Sequence, residues 1–156
     1  MFQFDNNGYL KPYQPIITDI KGFEKQFANS AVRKVIFKEY LLFLEELQGI
    51  QPHSFMQWIN GSFTTQKPLP FDIDLVTFVD YSTYFMNVQK FKKLEKKYSK
   101  IDAHFSVDFP EGHRKAYETH LDKLYWQDVY GTDRYSRPKG FLQIQILNHD
   151  NNIRKR

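Results

Sequence analysis

The chain has 156 residues, with fifteen Phe, ten Tyr, no Cys and a formal net charge of +4. That length suffices for one domain with its own core, and the absence of cysteine excludes disulfides and thiolate zinc sites. No apolar run approaches the ~20 residues of a membrane span, and no basic region followed by an apolar core opens the chain, so a cytoplasmic protein without membrane contact is expected.

Residues 1–22 read as an irregular arm packed on the domain. Asn6-Asn7-Gly8 marks a turn, and Pro12 and Pro15 keep the segment extended. Thr18 or Asp19 is placed to cap a short helix carrying Phe23 and Phe27. Asn29 or Ser30 then caps a long amphipathic helix, with Val32, Val35, Ile36, Tyr40, Phe43, Leu44 and Leu47 at three- and four-residue spacing. Arg33, Lys34, Lys38, Glu45 and Glu46 are assigned to its other faces, and Gly49 to its C-terminal end.

The informative stretch is FMQWINGSFTTQKPLPFDIDLVTFVD, residues 55–80. Phe55–Ile59 reads as a strand, broken by the turn residues Asn60-Gly61-Ser62. A polar loop closed by Pro68 and Pro70 leads to Asp72-Ile73-Asp74 and a second apolar run, Leu75–Val79. In an extended strand, Asp72 and Asp74 share a face and Ile73 takes the other. Paired carboxylates on one face repel each other unless a cation lies between them, and hard divalent ions favour carboxylates together with substrate phosphates. Gly61 admits close backbone approach to a ligand, and Ser62 adds a hydroxyl and an N–H.

Ser82 is expected to cap a second helix reaching Tyr98, burying Phe85, Val88, Phe91 and Leu94 and presenting Lys90, Lys92, Lys93, Lys96, Lys97 and Lys100. A third strand, Ile101–Phe109, alternates Asp102, His104, Ser106 and Asp108 with apolar residues. Beside the Asp72–Asp74 strand it offers a third carboxylate, with Asp102 placed first and Asp108 second. Pro110-Glu111-Gly112 turns into a third helix whose buried stripe is read as Tyr117, Leu121, Leu124, Tyr125 and Val129, ended by Gly131. His113 and His120 lack the spacing of metal ligands. The loop Thr132–Gly140 carries Arg134, Arg137 and Lys139, cations suited to a triphosphate or acceptor. A last strand, Phe141–Leu147, precedes a basic tail from Asn148 to Arg156 that is expected to fray. The order helix, strand, strand, helix, strand, helix, strand predicts a single two-layer α/β (α+β) domain, a mixed sheet with helices largely on one face.

Gly61-Ser62, the gap of about ten residues, and Asp72-x-Asp74 inside an apolar strand resemble the signature of the nucleotidyltransferase superfamily that includes DNA polymerase beta. More widely, FDNNGYLKPY, QWINGSFTTQKPLPFDIDLVTF and YWQDVYGTDRYSRPKGFLQI are similar to short, largely uncharacterised bacterial nucleotidyltransferase-like proteins. The resemblance implies that Asp72, Asp74 and Asp102 hold two Mg²⁺ ions, with Mn²⁺ as a substitute. It implies that Gly61 and Ser62, with Lys139 as a further contact, hold a nucleoside triphosphate. An NMP group would pass to an acceptor hydroxyl on a protein or a nucleic acid such as RNA. The resemblance also implies a setting in toxin–antitoxin or phage-defence systems, with a toxin as partner. Two features depart from better-known relatives: Phe63-Thr64-Thr65 stands where many carry an arginine, and no separate helical domain is present to hold an acceptor.

Two rival readings remain at this level. In one, the fold is catalytically silent and serves as an antitoxin or partner-binding subunit. In the other, the Lys90–Lys100 run binds nucleic acid, which a steep salt dependence would mark.

Overall fold

The computed structural model describes residues 1–147; the tail expected to fray lies outside them. Seven strands and five helices follow one another as β1 (Gln3–Phe4), β2 (Leu10–Lys11), β3 (Pro15–Thr18), α1 (Ile20–Phe27), α2 (Ala31–Ile50), β4 (Phe55–Asn60), β5 (Ile73–Asp80), α3 (Tyr81–Met86), α4 (Val88–Lys97), β6 (Ile101–Asp108), α5 (Ala116–Tyr130) and β7 (Phe141–Ile146). The mixed α+β class expected from the sequence is the class observed. The main sheet has the order β3-β7-β4-β5-β6. Its β4 is antiparallel to both neighbours, whereas β5 and β6 are parallel, as are β3 and β7. Parallel neighbours need a long crossover, which α3 and α4 supply between β5 and β6.

The interior strand β5 reads IDLVTFVD and is buried along nearly its whole length, the signature of a strand covered on both faces. Ile73, Leu75 and Val79 meet the apolar sides of α1, α2 and α4, where Phe23, Phe27, Tyr40, Phe43, Leu47, Phe91 and Leu94 fill the larger core. The Tyr40 hydroxyl donates to Gln57 Oε1 (2.7 Å), and Gln57 Nε2 donates to Thr77 Oγ1 (3.0 Å), so the buried polar groups of this layer satisfy one another. Val76 and Phe78 point the other way, where Trp58, Tyr130 and Phe141 form a second, smaller core under α5.

Several local expectations need correction. The N-terminal arm is not irregular: β1 and β2 form a hairpin around Asn6-Asn7-Gly8, and β3 is an edge strand of the main sheet. The β3–β7 pairing joins segments far apart in sequence, which short-range patterns do not encode, whereas β1 and β2 are local strands of two residues each, too short to show alternation. The helix expected from Ser82 to Tyr98 is two helices, capped by Asp80, whose Oδ2 accepts the Thr83 N–H, and broken at Asn87, whose side chain donates to the Thr83 carbonyl. Phe85 is consequently exposed rather than buried. On α2, Val32 and Val35 face solvent and Arg33 is buried instead.

The largest correction concerns α5. The residues read as its buried stripe, Tyr117, Leu121, Leu124, Tyr125 and Val129, are 41–64% exposed. The helix docks by Thr119, Asp122, Trp126 and Tyr130. Thr119 Oγ1 accepts the Phe109 N–H (2.8 Å), Ser106 Oγ donates to Asp122 Oδ2 (3.1 Å), and Trp126 packs on His104 at 4.9 Å. The physical reason lies in the partner surface. The β6 face beneath α5 presents Asp102, His104 and Ser106, so the mixed stripe of the helix fits it and the apolar stripe does not.

Candidate metal and nucleotide site

The parallel register of β5 and β6 sets Asp74 beside Asp102. Asp72, one residue before β5, joins them, and one carboxylate oxygen from each of the three lies within 4.8 Å of the others. Asp108, the alternative third carboxylate, pairs with Asp80 at the far end of the same strands and takes no part. His104 Nε2 stands 3.5 Å from Asp102 Oδ1, a contact that becomes an ion pair on protonation.

Burial, followed by the charges of Asp72 and Asp102, pushes the Asp74 carboxyl up to about 7. Burial and Asp102 likewise raise Asp72, with Lys100 opposing them. At Asp72 and Asp74, burial and the neighbouring carboxylates therefore outweigh the opposing charges of Lys100 and Lys139. All three acids offer hard oxygen ligands, the donor type that suits Mg²⁺ or Mn²⁺ rather than thiophilic metals. On that chemistry the residues present fit a divalent cation.

Gly61 has φ of +90°, and a Cβ built on it would lie 2.9 Å from Asp74 Oδ2. A glycine is needed here twice over: for the left-handed backbone and for the close approach of the turn to the carboxylate. Ser62–Thr64 then forms one 3₁₀ turn, held by the Thr64 and Thr65 N–H groups donating to the Gly61 and Ser62 carbonyls. Arg33 fixes this turn from α2. Its guanidinium, 4% exposed, donates to the carbonyls of Phe27, Phe63, Thr65 and Lys67 at 2.7–3.2 Å. The sequence reading assigned Arg33 to a solvent face. Its spacing before Ile36, Phe37 and Tyr40 places it on the buried stripe, which is the signal that identifies it.

Asn60, Gly61, Ser62, Asp74, Tyr130 and Lys139 share the wall of a cavity of about 780 Å³, within the range of small-molecule sites. Lys139 is 7% exposed, with its Nζ over the Tyr9 ring at 5.1 Å. Burial lowers its pKa, while the charges of Asp74 and Asp133 act to raise it. Tyr9 closes this side of the cavity. Its hydroxyl donates to Asp133 Oδ2 (2.7 Å), which also accepts from Arg137 Nε (2.6 Å). Although burial pulls the other way, these hydrogen bonds hold the Asp133 carboxyl well below the usual range. Arg137 is thus committed to Asp133 and Tyr9, whereas Arg134 is exposed at the rim.

The structure therefore brings together Asp72, Asp74 and Asp102, and places Asp74 in one cavity with Gly61, Ser62 and Lys139. It leaves the α4 lysines outside that cavity: Lys97 pairs with Glu46, and Lys90, Lys93 and Lys97 line a separate surface groove. Residues that sequence reasoning missed are Arg33, Asn60, Tyr130, His104 and the Tyr9–Asp133 pair. Arg33 had a periodic signal on its helix, and the alternation of the third strand set His104 on the face of Asp102. The others depend on which segments meet in space. No curated protein and no solved structure matches the chain. A family model does match, over residues 2–145, and by it the chain belongs to DUF6932, a family of unknown function.

Proposed function

We propose that the chain is a divalent-metal-dependent nucleotidyltransferase. The observation that carries the reading is the convergence of Asp72, Asp74 and Asp102 within 4.8 Å, next to a cavity walled by the Gly61-Ser62 turn and Lys139. A bound divalent cation would neutralise phosphate charge and acidify the acceptor hydroxyl. The polypeptide does the rest. Gly61 and Ser62 seat the triphosphate, Lys139 adds positive charge at its side, and Arg33 keeps the turn rigid. The acceptor oxygen forms a new bond to the α-phosphorus as the bond to the β-phosphate oxygen breaks and pyrophosphate leaves. Asp102, the most exposed of the three acids, takes the acceptor's proton, and His104 stands 3.5 Å away to pass it on. Positioning and charge stabilisation account for most of such catalysis.

The test is calorimetric binding of the four common ribonucleoside triphosphates with and without Mg²⁺, on wild type and on Asp72→Asn/Asp74→Asn. Cation-dependent binding that vanishes in the double variant supports the reading, and a folded wild type that binds none of them overturns it. The exposed apolar side of α5 favours a second reading, a catalytically silent subunit that covers a partner. A protein that binds no nucleotide, yet loses a partner on Leu121→Glu/Leu124→Glu substitution, would establish that reading instead.

A further inference from the structure

The row of residues that carries Asp74 and Asp102 has a third member. Asn60 stands directly opposite Asp74 on β4, just as Asp102 stands beside it on β6. Directly opposed residues project on the same face of a sheet, with Cβ atoms about 4.5–5.5 Å apart. Asn60 is 6% exposed, and its Oδ1 is buried without a hydrogen-bond partner. It shares the cavity wall with Asp74 and Gly61. A buried amide oxygen without a donor costs about 1–3 kcal/mol, and here the polypeptide offers none. None of Asp74, Asp102, the Tyr130 hydroxyl or the Lys139 ammonium bonds to this oxygen.

An acceptor beside carboxylates, with no donor of its own, matches what hard divalent cations take up, since these bind amide carbonyl oxygens alongside carboxylates. We infer that Asn60 Oδ1 is a neutral oxygen ligand to a divalent cation held by Asp74, on the cavity side of that residue and across it from Asp102. The inference rests on the cation site proposed above. A neutral ligand completes the coordination without adding a fourth negative charge to three carboxylates that already repel one another. Asn60 also precedes Gly61 directly, so ligation there couples the cation's position to the turn that faces the phosphates.

The test is the Mn²⁺ affinity of the full chain, read by electron paramagnetic resonance without nucleotide, for wild type, Asn60→Ala, Asn60→Asp and Asp74→Asn. Melting curves in EDTA accompany each. Asn60→Ala is expected to weaken Mn²⁺ binding about tenfold, on the scale of lost metal-site contacts, without lowering the metal-free melting temperature. Asn60→Asp, which keeps an oxygen at that place, is expected to bind at least as tightly as wild type. The inference is overturned if Asn60→Ala keeps wild-type affinity while Asp74→Asn loses it, or if folded Asn60→Asp is as weak as Asn60→Ala. An Asn60→Ala protein that melts lower in EDTA but binds Mn²⁺ normally would assign the amide a structural role instead. A folded wild type that binds no Mn²⁺ removes the cation site itself, an outcome distinct from failure at Asn60.

Discussion

Asp74→Asn removes one negative charge from three carboxylates whose oxygens lie within 4.8 Å, and it does so at a half-buried position. Burial and the neighbouring Asp72 and Asp102 raise this carboxyl from an ordinary 3.8 to about 7. The sign follows from linkage. The folded state holds the proton more tightly than the unfolded chain, so this group favours folding fully below about pH 4, and the benefit is lost as pH rises through about 7. At about 1.4 kcal/mol per tenfold change in proton affinity, ionising Asp74 in the folded protein costs at most about 4 kcal/mol. Solvent access and relaxation reduce this to about 1–3 kcal/mol. Asparagine avoids the cost. In a domain of this size 1 kcal/mol is about 2–4 °C of melting temperature. Asp74→Asn should therefore melt several degrees higher than wild type in EDTA at pH 8, and at about the same temperature at pH 4. The order should reverse with Mg²⁺ at pH 8, because a ligand of the native state stabilises wild type and the variant has lost the site. Circular dichroism melts of both proteins at the two pH values, with EDTA or Mg²⁺, give all the comparisons. A variant clearly less stable than wild type in EDTA at pH 8 would refute the electrostatic reasoning.

Other consequences follow from the same geometry. Asp102→Asn should weaken Mn²⁺ binding strongly and Asp108→Asn leave it unchanged, because Asp108 lies at the opposite end of β6; titration of Mn²⁺ into each variant decides this. Gly61→Ala forces a side chain at φ +90° into Asp74, so a loss of about 2–4 kcal/mol is expected in urea unfolding, together with weaker nucleotide binding. Arg33→Met strands four backbone carbonyls that the guanidinium now serves and should cost about 3–4 kcal/mol by the same assay. Tyr9→Phe removes a hydrogen bond to Asp133. The depressed Asp133 carboxyl stabilises the fold above about pH 4 and loses that effect on acidification, so the gap between Tyr9→Phe and wild type should narrow as pH falls, as read by melts across that range.

What was legible in the sequence was what short-range pattern encodes. The apolar run through Leu75–Val79 and the alternation of Ile101–Phe109 gave the strands, and alternation alone put Asp72 and Asp74 on one face. Their parallel pairing, on which Asp102 depends, required only that β5 and β6 be neighbours joined by helices. The orientation of α5 was not legible, because its sequence carries two stripes and the choice rests on the polar surface of β6. Asn60 read as a turn residue, since nothing local reveals that it closes a strand opposite Asp74. Tyr9 and Asp133 meet across 124 positions of sequence, so the cavity wall they build exists only once the arm has paired with the sheet. Arg33 is the exception, for its place on the buried stripe of α2 was readable from spacing.

The most direct test of the central claim is anomalous diffraction at the manganese edge, from crystals soaked with Mn²⁺ and a non-hydrolysable nucleoside triphosphate. The account predicts a peak among Asp72, Asp74 and Asp102, with phosphate density along Gly61 and Ser62. Bare carboxylates, in crystals where Mn²⁺ or nucleotide binds elsewhere on the protein, would contradict it.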